Sequence, residues 1–91
     1  MPARPPNPLL SAFGGAVRSL RLARGLSQES LAEAARLHVT YISSLERGRR
    51  NVSLVNIDRL SRALEVDLVA LMAAVESKRL DDHSSAGRRD S

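Results

Sequence analysis

No cysteine occurs among the 91 residues, which excludes disulfides and thiolate metal sites and gives no sign of an oxidising compartment. Aromatics make up 2%, Phe13 and Tyr41 alone, so the core must be aliphatic and recognition of single strands by base stacking has almost no platform. Neither an apolar run of about 18 residues nor a signal-peptide pattern is present, so a cytoplasmic chain without a membrane partner is expected. Catalytic constellations are missing as well: no paired carboxylates in a plausible pocket, no phosphate-cradling glycine loop, no serine with an evident histidine partner. An enzyme is therefore not expected, nor a cofactor. His38 and His83 have no metal-ligand company, so no metal site is expected either, and no small-molecule effector is evident.

What is present is charge, unevenly placed. Residues 1–50 hold 8 Arg against 3 Glu, whereas residues 51–91 hold 6 Lys and Arg against 7 Asp and Glu, within a net charge of +4. The positive field belongs to the first half, as a phosphate-facing surface requires. A chain this short makes one small domain that buries only about 60 to 65% of its unfolded surface, so a partner subunit would help it. Within the basic half, residues 28–47 read as two short helices joined by a tight turn. Leu31, Ala32 and Ala35 form one apolar stripe, Leu37 sits in the turn, and Ile42 and Leu45 form the second stripe. That is helix-turn-helix spacing, with Ala32 small enough to let the second helix cross closely.

The run LRLARGLSQESLAEAARLHVTYISSLERGRRNVSL carries Arg-x-x-x-Gly-Leu-Ser-Gln, Tyr-Ile-Ser and Glu-Arg-Gly elements. With these it resembles the Cro-like, phage-repressor type of helix-turn-helix regulators, also called the xenobiotic-response-element family, over roughly residues 10–75. Residues 40–43 and 49–57 look most like the small controller proteins of restriction-modification systems. The resemblance implies an all-α, compact five-helix phage-repressor-like DNA-binding domain. It also implies an orienting ion pair between Arg21 and Glu46, against the alternative of two unrelated surface charges. Gln28 matches the family glutamine that contacts the DNA backbone, the alternative being a mere exposed helix starter. Residues matching Val39, Thr40 and Ser44 stand over base edges in the family, and those matching Tyr41 and Ser43 lie near bases or phosphates.

Taken in order, residues 1–8 contain all four prolines and read as an extended or disordered arm, in which Arg4 either reaches a minor groove or is idle. The domain proper is expected over 9–77. A first helix over 9–24 points Leu10, Phe13, Val17 and Leu20 inward, is weakened by Gly14 and Gly15, and is ended by Gly25. Ser27 caps the second helix, whose N-terminus can grip a phosphate. Arg36 stands where the family turn glycine is usual, and His38 where a Ser or Thr cap is usual; His38 either caps weakly or touches a phosphate.

In a third helix over 39–47, inward Ile42 and Leu45 throw Val39, Thr40, Ser43, Ser44 and Arg47 outward, with Tyr41 on one flank and no acid on that face. Arg47 alone could read a base bidentately, so direct readout is modest and duplex deformability should contribute specificity. Arg49, Arg50 and Asn51 form a loop suited to the sugar-phosphate backbone. Ser53 caps a fourth helix with Leu54, Ile57, Leu60 and Leu64 inward, and Glu65 replaces a second usual glycine. Asp67 caps a last helix over 68–77 that opens on eight apolar residues, LVALMAAV. Leu68, Leu71, Met72 and Val75 suit the core there, while the rest of the face needs another partner. A homodimer is expected, with Leu68, Val69, Met72 and Ala73 at the interface. Residues 78–91 lack periodicity and read as a disordered tail. The leading expectation is a homodimeric regulator of a double-stranded DNA operator, either a restriction-modification controller or a phage- or plasmid-type repressor. The competing class is an antitoxin-like protein-interaction module with secondary DNA binding.

Overall fold

The computed structural model describes residues 7–88, with side chains through Asp81. Five helices succeed one another: α1 (Pro8–Ala23), α2 (Gln28–Ala35), α3 (Val39–Glu46), α4 (Leu54–Ala63) and α5 (Leu68–Arg88). This is the expected all-α, five-helix arrangement. Its first helix starts one residue early because Asn7 caps it, accepting from the Leu9 amide at 2.9 Å, with Pro8 at the first helical position where its missing N–H is harmless. Ser27, Ser53 and Asp67 cap α2, α4 and α5 as read from the sequence, each through a side-chain oxygen facing an amide three residues on.

All four connections close in one way. A residue in the left-handed region follows each of the first four helices: Gly25 (φ 70°), Arg36 (φ 59°), Gly48 (φ 75°) and Glu65 (φ 58°). In each, that residue and its successor return their amides to carbonyls of the last turn, as Leu37 N–H does to Ala32 O at 2.9 Å and Val66 N–H to Ser61 O at 3.0 Å. The two glycine replacements noted in the sequence therefore leave the backbone left-handed, at a strain of about 1 to 2 kcal/mol each.

The core is aliphatic apart from Phe13. Val17 of α1, Leu31 of α2, Ile42 and Leu45 of α3, Leu60 of α4 and Leu64 at its C-cap, and Leu71 and Val75 of α5 are all buried against one another. α1 packs on both α5 and α3, and α2 lies against α3 and α4. Gly14 lets α1 approach the end of α3, since a Cβ there would overlap the Leu45 and Glu46 carbonyls. The cost to helix propensity expected from Gly14 is thus what the α1–α3 crossing requires.

Several expectations are corrected. Leu54 is 72% exposed, because side chains on a helix lean toward its N-terminus and a first-turn residue has no preceding turn to cover. Met72 is 40% exposed: Leu71 and Val75 hold the seam on α1, and Met72, 100° round the helix, falls at its edge. Leu10, Leu20, Ile57 and Leu68 are half-buried and not central. α5 continues past 77 to Arg88, so residues 78–88 are helical where a structureless tail was expected. Arg4 lies outside the described residues.

Candidate nucleic-acid interface

The α2–turn–α3 unit is held together at three levels. Ser27 Oγ accepts from Ser30 N–H at 3.0 Å, and the two hydroxyls meet at 2.9 Å, so the cap of α2 is a single backbone bond reinforced by one side-chain contact. Arg36, at φ 59° and ψ 45°, turns the chain. Buried Ile42 and Leu45 of α3 then seat among Leu31, Ala32 and Ala35 of α2. His38 holds the N-cap position of α3 in extended conformation but makes no side-chain cap bond, so the capping role considered for it is not used. Its first-turn amides remain unsatisfied by side chains, and His38 itself is exposed.

Of the residues expected to face outward, Val39 (37% exposed), Thr40 and Arg47 do so. Ser43 and Ser44 are half-buried, each flanking an inward residue, and are corrected from fully outward to the sides of the ridge. Tyr41 is half-buried on the flank, as expected. Arg49, Arg50 and Asn51 lie exposed in the loop that leaves α3. With Arg36 exposed in the turn, four cations surround a short-sided ridge that carries no acid. Such a surface attracts a polyanion and presents small groups, the methyls of Val39 and Thr40 and the Thr40 hydroxyl, at its summit, with the Ser43 and Ser44 hydroxyls at its sides.

Glu46, at the end of α3, would place a negative charge beside this ridge were it free. It is instead nearly enclosed, its side chain 3% exposed, and paired with Arg21 of α1. Arg21 Nε donates to Glu46 Oε2 at 2.7 Å and Nη2 to Oε1 at 3.0 Å, a bidentate fork, while Nη1 donates to Leu26 O at 2.9 Å. The Glu46 hydrogen bond, working against desolvation, raises the Arg21 guanidinium above its ordinary value, so Arg21 stays charged. Gln28 joins the same carboxylate, its Nε2 donating to Oε1 at 3.1 Å. Because a carboxylate only accepts, this contact turns the amide nitrogen of Gln28 inward and leaves one of its N–H groups and its carbonyl oxygen uncommitted. Gln28 is half-buried, not a loose helix starter. Among the described residues, no buried side-chain N or O lacks a hydrogen-bond partner.

Sequence reasoning missed three contacts here: Gln28 with Glu46, Asn56 Nδ2 with the Tyr41 hydroxyl at 3.3 Å, and the Arg50 guanidinium 5.5 Å from the Tyr41 ring centroid. Each joins residues of different elements, which helical spacing does not register. Asn7, also missed, had a local signal in Asn-Pro followed by an apolar run. The expected interface residues of α5 are presented partly as supposed: Val69 (79%), Met72 (40%) and Ala73 are exposed, and Leu68 is half-buried. Met72 and Leu9 also line a shallow apolar groove with Leu10, Phe13 and Val52.

Comparison with known proteins agrees with this geometry. A helix-turn-helix family model matches residues 17–71. Control protein C.BamHI of Bacillus amyloliquefaciens is 56% identical over 55 residues, covering 59% of this chain and 68% of that relative. The solved restriction-modification controller protein C.AhdI from Aeromonas hydrophila is 50% identical, with a TM-score of 0.67 over 68% of this chain and 94% of that one. The restriction-modification controller protein C.Esp1396I, solved as a tetramer with its natural 35 base-pair operator, is 33% identical, with a TM-score of 0.74 over 79% of this chain and 95% of that one. The chain belongs to the helix-turn-helix family of DNA-binding transcriptional regulators, alongside the control proteins of restriction-modification systems.

Proposed function

We propose that this chain is a homodimeric controller that binds a double-stranded operator through the α3 ridge and regulates restriction-modification genes in the cytoplasm. The observation that carries the reading is the ridge itself: Val39 and Thr40 exposed at its start, no acid along it, and Arg36, Arg47, Arg49 and Arg50 around it. Val39 and the Thr40 methyl suit thymine methyl groups, Ser43 and Ser44 supply hydroxyls at the sides, and Arg47 is the residue long enough for a bidentate contact. Gln28, Arg49, Arg50 and Asn51 hold the phosphate backbone and set the register without specifying sequence. Arg21 and Glu46 orient the end of α3 and keep a carboxylate out of the interface. The DNA-binding domain is residues 9–77.

The dimer rests on α5. Its apolar face exposes Val69, Met72 and Ala73, with Met72 sharing a groove with exposed Leu9, and an uncovered face of this kind is costly unless a second subunit closes it. A two-fold pair places two α3 helices about 34 Å apart, in successive major grooves on one side of the duplex. A protein-interaction module would use the same α5 face with a different protein, and it differs in how DNA binding responds to salt. Titration of a non-cognate duplex should show affinity falling by about a thousandfold between 50 and 200 mM salt for a dimer neutralising six or more phosphates. Affinity that is flat across that range contradicts the reading, and sedimentation as a monomer at tens of micromolar, with and without DNA, contradicts the dimer.

A further inference from the structure

Tyr41 is held from two sides. Its hydroxyl oxygen accepts from Asn56 Nδ2 at 3.3 Å, and the Arg50 guanidinium lies 5.5 Å from its ring centroid. Asn56 is itself fixed, since its backbone N–H is the one that Ser53 Oγ caps, at 3.1 Å. An amide nitrogen donates and never accepts, so the Tyr41 oxygen spends an acceptor position on Asn56 and keeps its own proton free. A phenolic O–H lies close to the ring plane. With Asn56 on one side of the oxygen, the proton is directed to the other.

We infer that Asn56 is a positioning residue for DNA binding: it fixes the Tyr41 hydroxyl as a hydrogen-bond donor toward a phosphate of the operator that Arg50 also engages. The inference rests on the groove-facing reading of α3 given above. A phosphate fits this pair better than a base edge does, for two reasons. Tyr41 stands on the flank of α3 and not on the summit formed by Val39 and Thr40, and Arg50 belongs to the loop that leaves the helix. A cation and an O–H donor held side by side offer no acceptor, and a phosphodiester oxygen pair asks for none. Asn56 itself need touch no DNA.

The test is a double-mutant cycle read by affinity for a duplex that the full chain selects from a random-sequence pool. Asn56→Leu, similar in size and uncharged, should weaken binding about fivefold, the factor that corresponds to one ordinary hydrogen bond. In a Tyr41→Phe background the same change should have no effect, because no hydroxyl remains to be aimed. Replacing the contacted phosphate by a neutral methylphosphonate should likewise abolish the Asn56→Leu effect. Thermal melts accompany each variant, and Asn56→Ala, favourable in a helix, serves if Asn56→Leu does not fold. An equal loss in both backgrounds, no loss in either, a loss that only tracks a smaller folded fraction, or a loss that persists on every methylphosphonate duplex overturns the inference. A parent chain that selects no duplex at all removes the regulator reading first, whereas a parent that binds with a silent Asn56 removes this inference alone.

Discussion

Arg36 offers a sharp test of how the helix-turn-helix is held. Its backbone sits at φ 59°, ψ 45°, a region where a Cβ meets the following carbonyl at a cost of roughly 1 to 2 kcal/mol, and glycine alone escapes that cost. Glycine in turn loses more freedom on folding, which offsets part of the gain. Comparing Arg36→Gly with Arg36→Ala isolates the backbone, because both variants discard the same exposed guanidinium. We expect Arg36→Gly to be more stable than Arg36→Ala by about 1 kcal/mol, or about 4 to 8 °C in Tm for a domain of this size. Urea and thermal unfolding followed by far-ultraviolet circular dichroism, at one fixed protomer concentration, read the difference. Both variants should also bind non-cognate DNA more weakly than the parent, with a shallower salt dependence, since each removes a cation beside the ridge. Equal stability of the two variants, or a less stable glycine, would refute the claim that this turn is strained.

His38→Ser should stabilise the fold by about 1 kcal/mol, because a hydroxyl can cap α3 where the imidazole makes no cap bond; an unchanged urea midpoint would count against this. Glu46→Ala strands the Arg21 guanidinium, whose side chain is only 9% exposed, and should cost about 3 to 5 kcal/mol in denaturant unfolding, whereas a loss under about 1 kcal/mol would mean that the pair is not structurally important. Val69→Glu puts a charge on the apolar face of α5 without touching the core, so, if the proposed dimer closes through that face, the variant should sediment as a monomer under conditions where the parent sediments as a dimer and keep its helical spectrum; a variant that sediments as the parent does would move the interface elsewhere.

The helix-turn-helix core was legible because its stripe residues need only helical spacing to be identified: Leu31, Ala32, Ala35, Ile42 and Leu45 are all buried, as read. The caps at Ser27, Ser53 and Asp67 were legible for the same local reason. Periodicity names a face but not how far the neighbouring element extends, which is why Leu54 and Met72 were placed inside and lie exposed. Ser43 and Ser44 show the same limit on α3, since outward and sideways differ by less than one residue's rotation. The contacts of Gln28 with Glu46 and of Asn56 with Tyr41 span 18 and 15 residues of chain, and only the folded crossing of elements brings them together. Glu65 keeps a left-handed backbone and meets Arg24, but an ion pair with side chains 40% and 68% exposed is worth little, so nothing in the structure explains the absent glycine.

Whether the proposed pair of α3 ridges occupies successive major grooves is read by protection of guanine N7 from methylation on the selected duplex, because that atom lies in the major groove alone. Two protected clusters centred about 10 base pairs apart on one side of the helix are expected, lost together when Thr40 is replaced by Glu. Uniform reactivity at guanine N7 across a site that the chain demonstrably binds would contradict that placement.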